Sequence, residues 1–160
     1  MDIMTSAEKT RSELYSMRDS LAAELDRIRN HAQIICDLHW ENVREEADRR
    51  APRFITRIRV TTGSLQCQWL RAGGKPPSEP GGRIMATLVP KGTSRFNPRY
   101  KQSAFNSAEP WEREIIDETE INYAMLRERY MAISKMKNDL DKTIGLTKKS
   151  FERIGFPWDQ

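Results

Sequence analysis

Ten basic residues fall between Arg53 and Lys101, in a segment that contains a single acid, Glu79. The net charge of this segment is therefore 10 − 1 = +9, although the whole chain carries only +4, because both flanking segments are mildly acidic. Lysine and arginine at this density attract phosphates and other anions. The charge pattern predicts a surface for a polyanion, and double-stranded DNA is the first candidate.

Two kinds of contact are predicted within this segment. Arg57 and Arg59 alternate along one predicted strand, and Gln66 and Gln68 alternate along the next, opposite its apolar residues. The two glutamines could hydrogen-bond to base edges, as glutamine does with adenine, whereas the arginines of the first strand and the basic residues of the loops would follow the phosphates. The predicted nucleic-acid contacts are Arg57, Arg59, Gln66, Gln68, Lys75, Arg83, Lys91, Arg95, Arg99, Tyr100 and Lys101.

Other interpretations of the same residues stay open at this point. The basic segment would also fit an acidic protein partner, or the chain's own acidic stretch at 117–120. Gln66 and Gln68 are equally typical of a solvated sheet face. A membrane surface is not favoured, because the sequence contains no basic amphipathic helix with bulky apolar anchors. The main alternative to DNA binding is a coiled-coil adaptor or inhibitor whose basic face binds an acidic protein.

The residues that usually carry catalysis do not form a recognisable set. His31 and His39 are eight residues apart on a predicted helix, about 12 Å along its axis, which is too far for one metal ion. Cys36 adds only one further ligand. Asp117 and Glu120 would suit Mg²⁺ in a nuclease, but acids at this spacing usually lie on a solvated helix face. The sequence contains no Walker loop or dinucleotide fingerprint. We expect no enzymatic activity, no cofactor and no metal.

Composition limits the class of protein. The 160 residues are 38% hydrophobic and 31% charged, with a mean hydropathy of −0.74, so we expect a single domain with a small core. No apolar run approaches the ~20 residues that cross a bilayer. The first residues lack the features of a secretory signal, and the two cysteines make no disulfide framework. These features predict a cytoplasmic protein with no membrane partner.

Two long helices are predicted on either side of the basic segment. Residues 5–50 carry an apolar stripe at spacings of three and four, and Pro52 ends the run. Residues 107–155 follow a heptad pattern, with Ser107 as the N-cap and Pro110 in the first turn. Gly145 is expected to kink or break this second helix, and Gly155 to end it.

The segment from 53 to 101 changes from helical to strand periodicity. Three strands are predicted, near 54–60, 65–69 and 83–89, with an 11-residue connection between the last two. The predicted fold class is α+β: two long amphipathic helices, antiparallel and coiled-coil-like, flanking a basic three-stranded antiparallel β-meander. The apolar stripes are wider than one partner helix needs, which favours a homodimer. The predicted self-association residues are Leu126, Tyr130, Ile133 and Leu140.

The order of motifs resembles a known family. Residues 64–69 (SLQCQW), a glycine-rich gap, 84–92, 100–105 and 108–112 (AEPWE) lead into a helix that contains Glu120 and Arg127. This order, over roughly residues 60–140, is similar to the MobI-type mobilisation proteins of integrative conjugative elements and conjugative plasmids. The resemblance implies an accessory factor that recognises the origin of transfer and helps to assemble the relaxase there. It supplies no defined set of binding residues.

Overall fold

The structure, a computed structural model of the chain, describes residues 3–46, 51–61, 63–73, 85–92 and 97–158. Its elements are α1 (Ile3–Glu46), β1 (Phe54–Thr61), β2 (Ser64–Gly73), β3 (Met85–Leu88), a short 3₁₀ turn (Gln102–Phe105) and α2 (Pro110–Arg153). Two long helices and a three-stranded antiparallel sheet confirm the predicted α+β class. None of the described helices is both long and apolar enough to cross a membrane.

The second helix differs from its prediction at its start and in its interior. α2 begins at Pro110 rather than after Ser107, because proline lacks the N–H that has no partner in the first turn. It continues through Gly145, so the expected break is wrong, while a kink there stays a prediction. One glycine costs a helix about 1 kcal/mol, which the surrounding turns offset. The predicted end is confirmed at Gly155, whose φ is +87°.

The chain divides into two compact units. Unit 1 contains Met1–Arg27 and Tyr130–Gln160, and unit 2 contains Ile28–Arg129. In unit 1, Trp158 is buried and its Nε1–H donates to the Tyr15 hydroxyl at 3.1 Å. The rings of Phe151 and Trp158 lie 5.8 Å apart. Arg11 donates a hydrogen bond to the Trp158 carbonyl. Trp158 is therefore a packing residue of unit 1.

Unit 2 holds the sheet, whose strand order is β1-β2-β3. β1 pairs with β2 along its whole length, from Phe54 opposite Arg71 to Thr61 opposite Ser64. β3 pairs only with the last residues of β2, Leu70 to Gly73. The part of the hairpin nearest its turn is consequently a two-stranded ribbon.

The inner face of the sheet packs around Trp69, which is completely buried. Its ring lies 5.3 Å from Phe105, 6.0 Å from Tyr123 of α2 and 5.1 Å from the imidazole of His39 of α1. Aromatic pairs at these distances and tilted angles add to the stabilisation that burial provides. The core of unit 2 is therefore an aromatic cluster between the sheet and both helices.

The free edge of β1 is closed by side chains from the helices. The Phe54 N–H donates to the buried carboxyl of Glu112 at 2.7 Å. The Thr56 carbonyl accepts from Trp40 Nε1 at 3.3 Å and from the Cys36 thiol at 3.8 Å. An unsatisfied strand edge invites pairing with another chain, and these contacts remove that opportunity.

Candidate nucleic-acid interface

The outer face of the β1–β2 ribbon carries four of the predicted contact residues side by side. Arg57 lies opposite Gln68, and Arg59 lies opposite Gln66. The two arginines are exposed and the two glutamines are half-buried. Alternation along each strand puts all four side chains on the same face, away from Trp69. The structure therefore brings together the strand residues that the sequence pattern singled out.

Three of the four side chains, Arg57, Gln68 and Gln66, form a continuous ladder of hydrogen bonds. Arg57 Nε donates to Gln68 Oε1 at 3.0 Å, and Gln68 Nε2 donates to Gln66 Oε1 at 2.8 Å. Gln66 Nε2 points in turn to the hydroxyls of Thr61 and Ser64, each at 3.5 Å. The ladder fixes the orientation of both amides, because a guanidinium has no acceptor and Gln68 must present its oxygen to Arg57.

The turn of the hairpin sets the register of this ladder. Gly63 has a φ of +79°, a conformation that other residues adopt only with strain. The hydroxyls of Thr61 and Ser64, the last paired residues, are hydrogen-bonded at 2.6 Å. A glycine at this position therefore allows the tight reversal that places Arg59 opposite Gln66 and Arg57 opposite Gln68.

The loop residues of the predicted site have mixed positions. Arg99 and Lys101 are exposed. Lys91 is half-buried, and its pKa is lowered, first by burial and then by the nearby Arg127 guanidinium. Lys91 is thus less accessible to a phosphate than the other two. Three further predicted contacts, Lys75, Arg83 and Arg95, lie outside the described residues.

Tyr100 does not have the exposure that a base-stacking residue requires. Tyr100 is 8% exposed, and Cζ of the Arg127 guanidinium lies over its ring, 5.1 Å from the ring centroid. Burial raises the pKa of its hydroxyl. Tyr100 is a core residue of unit 2, and we leave it out of the proposed interface.

Ion pairing with the chain's own acids explains only part of the basic segment. Arg53 forms an ion pair with Glu109 at the start of α2 and donates to the Ser107 carbonyl at 2.7 Å. Within the described residues, Arg57, Arg59 and Arg99 form no such pair. The alternative of docking on acidic helix residues therefore applies to Arg53 and leaves the outer sheet face with its charge uncompensated.

A buried polar network on the opposite side of the sheet was not expected from the sequence. Glu120 was placed with Asp117 on a solvated helix face, which is wrong because Glu120 is 7% exposed. Its carboxylate accepts from Trp69 Nε1 at 2.7 Å and from the Tyr100 N–H at 2.9 Å. No local pattern in the sequence could have found it, because Trp69 and Tyr100 lie far from Glu120 along the chain.

Arg127 completes this network. Its guanidinium makes two hydrogen bonds to the Glu120 carboxylate, at 2.8 and 3.2 Å. It also donates to the carbonyls of Pro98 and Cys67, at 2.7 and 2.8 Å. The pair therefore joins α2, β2 and the loop before the 3₁₀ turn. Glu120 and Arg127 were part of the family resemblance, and the structure gives them a structural role.

His39 is also structural. It is 1% exposed, its Nδ1 lies 2.9 Å from the Thr119 hydroxyl, and its Nε2 has no hydrogen-bond partner among the described residues. Burial lowers the pKa of His39 to about 4. Within the described residues, no three side chains of His, Cys, Asp or Glu are grouped as a metal site.

The predicted self-association residues lie on the buried side of α2. Leu126 and Tyr130 are buried within the single chain, while Ile133 and Leu140 are half-buried. The apolar heptad positions therefore already serve the fold of one chain. Among the four, Ile133 and Leu140 are the more accessible to a second copy, and the homodimer stays a prediction.

The comparison with known families covers most of the chain. The family described as MobI protein matches residues 28–141, which are 141 − 27 = 114 of the 160 residues. No curated protein and no solved structure matches the chain significantly. The match begins at Ile28, where unit 2 also begins, so it extends the resemblance seen over residues 60–140 into α1. The match contains the whole sheet, its outer-face ladder and the Glu120–Arg127 pair, and the chain belongs to the MobI family.

Proposed function

We propose that this protein is a non-catalytic DNA-binding accessory factor for conjugative transfer, which recognises the origin of transfer and helps to recruit the relaxase. Membership of the MobI family indicates a role related to mobilisation. Duplex DNA is the partner that fits a +9 segment in a chain whose remaining residues are acidic, with a net charge of 4 − 9 = −5. Relaxase recruitment is the part of the proposal that rests on the family alone.

One observation carries the DNA-binding part. The outer face of the β1–β2 ribbon presents Arg57 and Arg59 to solvent, and no acid pairs with either among the described residues. Arg99 and Lys101 add exposed charge on the loop that follows. A two-stranded ribbon fits the major groove of B-DNA, which is about 12 Å wide. Arginines on its face then reach base edges, while the loop residues reach phosphates.

The test is fluorescence anisotropy of a labelled random-sequence duplex across a salt series. We expect wild-type affinity to fall with salt, with a log–log slope of about −0.9 for each phosphate contacted. Arg99→Ala with Lys101→Ala should make the slope shallower by roughly 1 to 2. A matched control is Lys148→Ala with Lys149→Ala, which removes the same charge from α2 in unit 1.

The outcomes separate DNA binding from the adaptor alternative. Absence of binding at about 50 mM salt, where phosphate contacts are strongest, would overturn the proposal. If binding occurs, the next comparison is an origin-of-transfer duplex against a random one of equal length. Equal loss of affinity in the loop variant and the control would mean that the overall charge of the chain, rather than this surface, attracts DNA.

A further inference from the structure

The ladder on the outer face of the ribbon presents hydrogen-bond donors in a fixed arrangement. Arg57 uses its Nε to bond Gln68 at 3.0 Å, and its terminal N–H groups have no hydrogen-bond partner among the described residues. The side-chain amide of Gln68 donates one N–H to Gln66 Oε1 at 2.8 Å, and its second N–H takes no part in the ladder. Both amide oxygens already accept a hydrogen bond from within the ladder. A ligand therefore meets mainly donors on this face.

The ladder also limits the freedom of the arginine. A free arginine side chain loses rotamer entropy when it is fixed. Since Gln68 already holds the Nε edge of Arg57, part of that loss occurs on folding and not on binding. Gln68 is held by Gln66, which points to the hydroxyls of Thr61 and Ser64. The arrangement is the support that a recognition side chain needs for precise contacts.

The shape around Arg57 and Arg59 allows close approach to a groove. β3 pairs with β2 only from Leu70 to Gly73, so the ladder lies where β1 and β2 stand as a pair. A planar guanidinium held by its Nε edge presents its two terminal nitrogens as a fork, which suits a pair of neighbouring acceptors.

We propose that this ribbon reads guanine in the major groove of duplex DNA, with Arg57 contacting the base and Gln68 positioning Arg57. Guanine offers two acceptors in the major groove, O6 and N7, and arginine binds both at once. Adenine and cytosine each present an amino donor there, which a face that presents mainly donors disfavours. The inference rests on the proposed function and adds the class of base that the same surface recognises.

The test uses three labelled duplexes of equal length and a single salt concentration. One contains guanine, the second has 7-deazaguanine at every guanine, and the third contains only A·T pairs. The 7-deaza duplex keeps its charge and base pairing but lacks the N7 acceptor. We expect wild-type protein to bind it roughly fivefold to tenfold more weakly than the guanine duplex, the loss of part of a bidentate contact. The A·T duplex should bind at least as weakly.

Variants of single residues test which side chains cause the preference for the guanine duplex. Arg57→Met removes the guanidinium and all of its hydrogen-bond donors, so the difference between the guanine and 7-deaza duplexes should disappear. Gln68→Ala should reduce the difference at least threefold while leaving the slope of affinity against salt unchanged, because it removes no charge. Gln33→Ala, at an exposed position of α1, is the matched control and should behave as wild type. Circular dichroism checks that each variant folds.

Each result decides between the two proposals. A difference between the guanine and 7-deaza duplexes that survives in Arg57→Met cannot come from Arg57 and would overturn the inference, while DNA binding itself stands. Equal binding to all three duplexes by wild-type protein would do the same. Failure to bind any duplex would overturn both the guanine inference and the proposed function.

Discussion

The two faces of one small sheet use arginine in opposite ways. On the inner face, Arg127 is 5% exposed and makes two hydrogen bonds to the carboxylate of Glu120. On the outer face, Arg57 is exposed and bonds the neutral amide of Gln68. Both guanidinium groups are held by a neighbour on the same protein. They differ in whether water can replace that neighbour.

This difference decides which face stabilises the fold and which is free to bind. Removing one partner of a buried ion pair leaves a charge without solvation, which is strongly destabilising. An exposed arginine that loses its partner is solvated again, so its contacts contribute little to stability. We therefore expect the inner face to control folding and the outer face to control recognition. The predictions below test that division, from the largest effect to the smallest.

Arg127→Ala should destabilise the protein by about 3–5 kcal/mol, since it leaves the Glu120 carboxylate buried and unpaired. It also removes the donors to the Pro98 and Cys67 carbonyls. Urea denaturation followed by tryptophan fluorescence measures the free energy of unfolding. Arg59→Ala is the matched control on the outer face. A loss below about 1 kcal/mol in Arg127→Ala would contradict the assigned role of the inner network.

Acid should destabilise the inner face through His39. Burial lowers the pKa of His39 from 6.5 to about 4, so between these values the unfolded chain binds a proton that the folded chain does not. Stability is therefore lost as the pH falls from about 6.5 towards 4, by up to about 3 kcal/mol at 1.36 kcal/mol per pH unit.

His39→Gln isolates this effect, because glutamine does not titrate in that range. The free energy of unfolding of wild type and variant is measured at both ends of the range, and the variant should lose less on acidification. His31, the other histidine, is exposed, so His31→Gln should retain the wild-type dependence on pH. An unchanged dependence in His39→Gln would mean that other groups cause the acid sensitivity.

Substitutions at two glycines test the turn of the ribbon and the interior of α2 separately. Gly63→Ala should destabilise by about 1–2 kcal/mol, because alanine is strained at a φ of +79°. Gly145→Ala should stabilise by about 0.5–1 kcal/mol, since Gly145 lies inside α2 with open space around its Cα. Thermal unfolding measures both. Effects of the same sign would contradict either the positive φ of Gly63 or the helical position of Gly145.

The sequence was informative where a short-range rule determines the structure. Strand alternation and the charge pattern placed Arg57 and Arg59 on one face, and Gln66 and Gln68 beside them, as the register confirms. The α+β class followed from the change in periodicity between the helices and the middle of the chain. These features depend on spacings of two to four residues, which a sequence displays directly.

Long-range pairing could not be predicted from these rules. Glu120 seemed one acid among several, because its partners Trp69, Tyr100 and Arg127 come from three separate parts of the chain. Tyr100 was assigned to the interface for the same reason, since its burial depends on packing against Arg127. A buried charge has no local sequence signal that distinguishes it from an exposed one.

The smallest effect on stability is expected from the outer face itself. Arg57→Ala with Arg59→Ala removes two positive charges and the bond to Gln68, yet both side chains are exposed and neither pairs with an acid among the described residues. The free energy of unfolding should therefore change by less than about 0.5 kcal/mol per residue. A loss above about 2 kcal/mol would make the ladder a structural element, and weaker DNA binding by this variant would then report on folding. A small loss together with weaker DNA binding would instead assign the outer face to recognition, because the inner face alone would account for the stability of the sheet.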